Sequence, residues 1–391
     1  MLKYITIIFA LLLALLDWVA YRRIVRYKAK KAVKLLFATV VLTANIIPLS
    51  VPLFMFIFNN DNNGTFMMKV SMVLLTIFIV FTLCRLILYI FWLPVSDKKW
   101  LYYGGVVSFT TFILLIYGIF VTRTNYKINE IELKFNNLPA AFNGFRIAFI
   151  SDIHAGSMVN AGEELAEIME LIDEADVDMV LFGGDIINVH HSEITELILE
   201  VFSRLKPRDG VFMVLGNHDT GAYIKNSTIA KREDNIAGLV SKMERAHWCV
   251  LKDSTVYIYK GSDSIAVTGI DYNEELLKYK HSMDAVKGVD FSRIYNNVSD
   301  SVFNITLSHL PQLWHSIRKS RFSDLTLSGH IHAMQMKFGR FSPARFMYKE
   351  WSGLYEYNGC RLYINDGIGC VGYLARFGAR PEITVIELYR K

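Results

Sequence analysis

Four apolar stretches, roughly Leu2–Ala20, Leu35–Phe58, Met67–Pro94 and Trp100–Thr122, crowd into the first third of a 391-residue chain. A helix of about 20 residues crosses the hydrocarbon of a bilayer, and only helices or closed barrels satisfy their own backbone groups there. Runs of that length leave residues 1–122 one reading, a four-span helical membrane anchor. The first run begins with only Lys3, its basic cluster comes after the apolar residues, and no small-residue cleavage site follows. It therefore reads as a retained span and not as a signal peptide. Pro48 and Pro52 should kink the second span without preventing its insertion.

Charge is distributed unevenly. Up to Thr122 there are 12 Lys and Arg against 3 Asp and Glu, a net of +9; the remainder holds 30 against 34, a net of −4. The overall charge of +5 thus belongs to the anchor, and nothing points to a nucleic-acid partner. Arg22, Arg23, Arg26, Lys28, Lys30, Lys31 and Lys34 fill the first loop, the second ("NNDNNGT") has no Lys or Arg, and the third ("VSDKKW") has Lys98 and Lys99. Basic loops stay in the cytoplasm, so both termini are predicted outside. The chain then reads as a multi-pass membrane protein with an extracytoplasmic C-terminal domain, residues 123–391. Only Arg85 lies well within a span, with Asp17 and Lys69 near span ends, which gives little sign of a transport pathway.

From about Arg123 short apolar runs alternate with polar turns. "NEIELKF" (129–135) has the alternation of an edge strand, and "FRIAFIS" (145–151) is apolar throughout, as in a strand buried on both faces. Asn160–Ala175 reads as a helix, with Asn160 and Glu163 as a capping pair and Leu165, Ile168, Met169 and Ile172 on one face. "VDMVLFGGD" (177–185) and "GVFMVLGNHD" (210–219) read as strands around a helix at Ile194–Leu205. "TVYIYKG" with "SIAVTGI" reads as a hairpin, followed by strands in "FNITLSH", "LTLSGHIH", "RLYIND" and "EITVIELY" and helices near 235–246 and 310–319. This order predicts an α/β domain of two packed sheets with helices outside.

Polar side chains collect where the strands end. Asp152 and His154 close the first buried run on what a period-two strand makes one face, and Asp185 closes the second. Asn217, His218 and Asp219 close the third, His309 closes "NITLSH", and His330 and His332 close "LTLSGHIH". Five of the ten histidines thus sit at the carboxyl ends of strands, where ligands bind in sheets of this kind. Imidazole suits ions such as Mn, Fe and Zn, and a carboxylate can offer an oxygen to each of two. A pair of ions about 3.5–4 Å apart can hold a nucleophile and a phosphoryl group together. Cysteine is absent from the set: Cys84 lies in the third span, Cys249 reads as core, and Cys360 and Cys370, which flank a strand, read as free thiols ahead of a disulfide.

D-x-H, G-G-D, G-N-H-D, a lone H and G-H-x-H, in that order from about Gly144 onward, resemble the calcineurin-like metallophosphoesterase superfamily. "LPAAFNGFRIAFISDIHAG" and "YINDGIGCVGYLARFGARPEITVIEL" resemble its membrane-anchored bacterial branch. The resemblance implies a four-layer α-β-β-α sandwich and two divalent metal ions, Mn first, with Fe, Zn or Co as alternatives. It implies that Asp152, His154 and His332 bind one ion, that Asn217, His309 and His330 bind the other, and that Asp185 bridges them. It further implies that His218 protonates the leaving oxygen while Asp219 orients its ring. One departure is local: the group continues G-H-x-H with two glycines and Gln, whereas here Ala333 and Met334 precede Gln335.

Taken singly, Asp152 or Asp185 reads as a turn residue, Asn217 as a left-handed turn and His309 as a satisfied core histidine; five ordered motifs outweigh those readings. His190 and His191 read as a solvated loop, and His247, His281 and His315 as surface or packing residues. Arg376 and Arg380 read as structural partners of nearby acidic residues ahead of a role in binding phosphate. The aromatic residues of "RFMYKEWSGLYEY" (345–357) lie on a loop or hairpin, facing either a bilayer or acyl chain or the packed interior. The predicted substrate is a phosphomonoester, diester or pyrophosphate in a lipid-linked or envelope molecule, near the bilayer. Cleavage of a UDP-2,3-diacylglucosamine pyrophosphate is the alternative implied by the resemblance, and a non-catalytic metal and phosphate sensor is another.

Overall fold

Phe145–Ile150 is buried almost throughout, and its two faces feed different cores. Phe145, Ile147 and Phe149 pack with Ile305, Leu307 and Leu327, which belong to a second sheet. Ala148 and Ile150 pack with Leu165, Ile168 and Ile172, which belong to a helix. A strand apolar on both faces is stable only between two layers, and that placement organises the domain.

The structure is a computed structural model describing residues 2–391 except 27–29, 58–63, 95–96, 98, 274–275, 277–288 and 300, with side chains from residue 12 onward apart from 47–57. Its strands are β1 Lys127–Phe135, β2 Phe145–Ile150, β3 Met179–Phe182, β4 Val211–Met213, β5 Trp248–Val250 and β6 Ser254–Lys260. They continue as β7 Asp263–Gly269, β8 Phe303–Leu307, β9 Leu325–Ser328, β10 Gly353–Tyr357, β11 Cys360–Ile364 and β12 Glu382–Arg390. One sheet runs β1-β12-β2-β3-β4-β5 and is parallel except between β12 and β2. The other runs β10-β11-β9-β8-β7-β6, parallel inside and antiparallel at both edges. Helices α5 Ala161–Glu174, α6 Glu196–Ser203 and α7 Ile229–Arg245 cover the outer face of the first sheet. Among the described residues, two short helices lie against the second, α8 Phe291–Ile294 and α9 Trp314–Ser320, through Tyr295, which bonds Thr306, and Trp314, which packs on Leu362 and Ile364.

Several sequence expectations need correction. The buried strands are shorter than their apolar runs: β3 stops at Phe182, β4 at Met213 and β9 at Ser328, so the polar motifs lie in loops beyond them. α7 begins six residues earlier than predicted, because the Thr228 hydroxyl accepts the N–H of Lys231 and caps it there. Asn160 makes no side-chain cap; Glu164, not Glu163, accepts the N–H groups of Val159 and Asn160. β5 is not foreseen in the sequence, because three residues are too few to show a period, and β10 is the hairpin partner of β11 in the stretch read as loop or hairpin. Cys249 is exposed rather than core, since edge strand β5 turns Trp248 inward and Cys249 out. Among the described residues all four cysteines are free.

The chain divides into two compact units, one of residues 1–62, 66–121 and 372–375, the other of the rest. The first contains α1 Leu2–Arg26, α2 Lys31–Ile57, α3 Thr65–Trp92 and α4 Lys99–Phe120. Among the described residues, Thr65–Trp92 and Lys99–Thr124 are long and apolar enough to cross a membrane. Asp17 of α1 and Arg85 of α3, both buried, form an ion pair at 2.9 Å. Asn45 of α2 donates to Asp17 at 2.7 Å and Tyr89 donates to its other oxygen at 2.5 Å, so one carboxylate ties three helices. Asp17, placed near a span end by the sequence, is in fact a buried junction. Asp17→Ala is expected to cost about 3–5 kcal/mol by leaving the Arg85 charge uncompensated, and Asp17→Ala with Arg85→Leu to recover most of it. Thermal unfolding of the full chain in detergent checks this; a double variant as unstable as the single would contradict it.

Candidate metal centre

The parallel pairing puts the carboxyl ends of β2, β3 and β4 at one rim of the first sheet and those of β8, β9 and β11 at one rim of the second. His309, after β8, donates from Nδ1 to the carbonyl of Gly183, after β3, at 2.8 Å, which stitches the two rims together. That bond holds the ring with Nε2 turned toward Asp185, the nitrogen that a cation would take in place of a proton.

Two groups of side chains result, each with donor atoms within 4.8 Å of one another: Asp152, His154, Asp185 and His332, and Asp185, His309 and His330. Asp185 belongs to both. Its Oδ2 is 3.2 Å from His309 Nε2 and 3.8 Å from His154 Nε2, while Oδ1 accepts the N–H of His218 at 2.8 Å. His332 Nε2 lies 2.8 Å from Asp152 Oδ1 and 3.3 Å from His154 Nε2. Asn217 Nδ2 donates to the Tyr223 hydroxyl at 3.2 Å, which leaves Oδ1 3.1 Å from His309 Nε2. The structure thus brings together Asp152, His154, Asp185, Asn217, His309, His330 and His332.

Their convergence does not come from strand alternation. β2 ends at Ile150, and Asp152 and His154 adopt left-handed backbone with φ of 55° and 48°. Asp185, His330 and His332 do the same at 58°, 73° and 52°. Left-handed residues reverse the chain within one step, and such unfavourable conformations concentrate at functional sites. The turns are also close-packed: a Cβ on Gly216 would lie 2.1 Å from Asp185 Oδ1, and one on Gly329 would lie 2.3 Å from Asp152 Oδ2.

Burial would raise the Asp152 carboxyl, but His332 beside it holds it below the usual range; His309 does the same for the buried Asp185. Burial alone would lower His309, yet Asp185 pushes it up to about 9. Burial and then His309 depress His330 to about 3, while burial and then His218 depress His154. Two ionised carboxylates therefore face the imidazoles out of water, with His309 held protonated beside Asp185 and His154 and His330 held neutral. His154 Nε2 and His332 Nε2 lie 3.3 Å apart. An oxygen and imidazole donor set of this kind, free of thiolate, suits divalent cations.

His218 and Asp219 lie beside this centre, but their expected pairing is corrected. His218 Nδ1 donates to the Asn188 carbonyl at 2.7 Å, and the Asn188 carbonyl, not Asp219, orients the ring. The Asp219 carboxylate instead accepts the N–H groups of Asp185, Gly216, Ile186 and Ile187, between 2.7 and 3.2 Å. It shapes the loop that presents Asp185. Burial and then Asp185 push Asp219 up to about 7, against those donors. Burial lowers His218, with Asp185 and the Asn188 carbonyl opposing.

Sequence reasoning missed Asn188, which acts through a backbone carbonyl that no motif encodes. It also missed Tyr223, whose ring stacks on His218 with centroids 4.2 Å apart. Glu193, which gathers the N–H groups of Gly156, Asn188, Val189 and His190, was missed as well. His190 and His191 belong to neither donor group; His190 caps a short turn through Ser192. His247 ends α7 in a left-handed conformation, His315 lies 3.4 Å from Glu350, and His281 lies outside the described residues. Arg376 and Arg380 are structural, but carbonyls take the place of the expected acids: Arg376 donates to Asp366, Gly369 and Ala379, and Arg380 to Asn125 and Tyr126.

The two-sheet fold and the paired donor groups suit a metal-dependent phosphoester hydrolase. Residues 145–334 match the family model for calcineurin-like phosphoesterases. This stretch, just under half of the chain, is thus a calcineurin-like metallophosphoesterase domain, and relatives named as metallophosphoesterases match the chain beyond it. It is 29% identical over 282 residues to a transmembrane protein with metallophosphoesterase domain of Danio rerio, covering 71% of this chain and 61% of that one. It is 26% identical over 270 residues to the metallophosphoesterase YkuE of Bacillus subtilis, covering 66% of this chain and 84% of the relative. Among solved structures, a dimetal phosphatase from Danio rerio aligns at a TM-score of 0.37 and 11% identity, over 58% of this chain and 88% of that one.

Where the family pattern is broken, the backbone has a cost. Ala333, Met334 and Gln335 continue the left-handed conformation of His332, with φ of 47°, 50° and 56°. Side chains with a Cβ pay about 1–2 kcal/mol there, which glycine avoids. Met334 is partly exposed, so Met334→Gly is expected to stabilise the domain by about 0.5–1 kcal/mol after the larger entropy of the unfolded glycine chain, and Met334→Val to destabilise it. Unfolding midpoints check the order; a glycine variant less stable than the parent would contradict it.

Proposed function

We propose that this protein is a membrane-tethered dinuclear metallophosphoesterase, and that its substrate is a phosphate ester or pyrophosphate in a lipid-linked or envelope molecule. The observation that carries the hydrolytic part is the sharing of Asp185 between two donor groups, which suits a pair of cations rather than one. Asp152, His154 and His332 would hold one cation and Asn217, His309 and His330 the other, with Asp185 common to the two donor groups. Two divalent cations bound there would supply charge neutralisation at a phosphoryl group and acidify water toward a usable pKa.

The chain's own residues do the rest. With Nδ1–H committed to the Asn188 carbonyl, the imidazolium form of His218 carries its second proton on Nε2; it gives that proton to the leaving oxygen and becomes the neutral ring. Tyr223, stacked on the opposite flank, limits how far that ring can rotate. Asp219 holds the backbone of Asp185 in the one position from which its carboxylate reaches both groups.

The tether supports the substrate class. In this reading the four helices α1–α4 are all spans and the catalytic domain is extracytoplasmic. β1 begins at Lys127, three residues beyond the candidate span Lys99–Thr124, so the domain acts close to the bilayer. Short tethering raises the effective concentration of membrane-borne substrates. The name of the Danio rerio relative, a transmembrane protein with a metallophosphoesterase domain, is consistent with that arrangement.

His218→Asn is expected to keep its divalent metal and lose about 10²–10⁴-fold in turnover of a generic aryl phosphodiester, the range for a lost proton donor. Metal analysis alongside steady-state kinetics separates the two effects. Undiminished turnover in the variant would remove His218 from the mechanism.

A further inference from the structure

The segment that follows His332 is anchored by buried Ala333, Gln335, Ser342 and Ala344 and turns a set of apolar side chains outward. Met334, Phe338, Phe341, Phe346 and Met347 are 39%, 58%, 43%, 77% and 69% exposed. Phe338 and Phe341 exchange backbone hydrogen bonds at 2.8 and 3.1 Å, closing a tight turn with Gly339 and Arg340 at its tip. The rings of Phe341 and Phe346 meet edge to face with centroids 6.1 Å apart. The segment is also tied to the metal loop, because the Ser342 hydroxyl donates to the Ala333 carbonyl at 2.7 Å. A contiguous apolar patch held out in water by an ordered backbone marks an interaction site.

Charge identifies the occupant. Between Ala333 and Lys349 there are four basic residues, Lys337, Arg340, Arg345 and Lys349, and no acidic one. Lys337 is committed to Asp366 at 2.6 Å, whereas Arg340 and Arg345 are exposed beside the aromatic side chains. The Arg345 guanidinium lies 6.0 Å over the Phe346 ring. Exposed aromatic and methionine side chains flanked by guanidinium groups match the boundary of an anionic bilayer, where rings enter the acyl region and cations meet phosphate. A protein partner of ordinary polarity would call for acids as well as bases at the rim.

We infer that residues 334–347 form a membrane-interface wedge that seats the rim of the metal centre against anionic lipid. The inference rests on the membrane-proximal reading above and deepens it: a phosphate at the bilayer surface would meet the centre beside His332 without leaving the membrane.

The test uses the full chain in nanodiscs of phosphatidylethanolamine and phosphatidylglycerol. Phe346 is replaced by the photoreactive analogue p-benzoylphenylalanine, and Tyr259 on β6, at the far edge of the second sheet and 69% exposed, is replaced likewise as control. Lipid adducts at 346 and not at 259 are expected by mass spectrometry. Adducts only to protein at 346, no adduct there, or equal lipid labelling at both positions overturns the wedge. A second variant, Phe346→Glu with Met347→Glu, is expected to lose about tenfold in hydrolysis of a long-chain lipid phosphate in the same discs while keeping its rate on the soluble aryl phosphodiester. An equal loss on both substrates overturns the wedge too. Failure of the parent protein to hydrolyse any lipid phosphate refutes the substrate reading, and the adducts judge the wedge independently of it.

Discussion

One oxygen of Asp185 stands between two sets of imidazoles while the other is fixed by the N–H of His218. The rest of the catalytic domain can be read as the apparatus for holding that carboxylate, and Asp152 beside it, ionised and out of water. A buried carboxylate costs several kcal/mol unless opposite charge and hydrogen bonds compensate. Backbone donors compensate in part: Asp152 accepts the N–H of His330 at 3.0 Å, and Asp219 gathers the amides that frame Asp185. The remaining requirement is positive charge, which fits cations at the two donor groups.

The layers of the fold follow from the same demand. Parallel strands from two sheets bring their carboxyl ends to a common rim, so loops distant in sequence meet without long excursions. The stitch from His309 to the Gly183 carbonyl joins a loop after β8 to one after β3, and its loss would free the sheets to shift against each other at the rim. In the helical unit Asp17 of α1 plays a comparable part on a smaller scale, one carboxylate holding Asn45 of α2 and Arg85 and Tyr89 of α3.

Much of this was legible in the sequence, for uneven reasons. The apolar runs around Ile147, Leu181 and Leu327 announced buried strands, because a strand covered on both faces has no polar face to show. The donor residues stood out because His and Asp gathered after those runs. What misled was period: Asp152 and His154 are two apart and read as one face of a strand, yet left-handed turns bring them together. Backbone chemistry was invisible altogether. Nothing in the side chain of Asn188 signals that its carbonyl sets the ring of His218, and the motif order gave Asp219 a partner it does not have. The aromatic residues after His332 were ambiguous in sequence, since packing and exposure use the same residues; only their exposed positions on an ordered turn separate the two.

Metal stoichiometry tests the central claim most directly. Purified full-length protein, dialysed after saturation with Mn, Fe, Zn or Co, should carry two divalent ions per chain by elemental analysis, and folded Asp185→Ala protein should carry fewer than one. A parent protein that retains no more than one ion with each metal, or an Asp185→Ala variant that still retains two, would contradict the account.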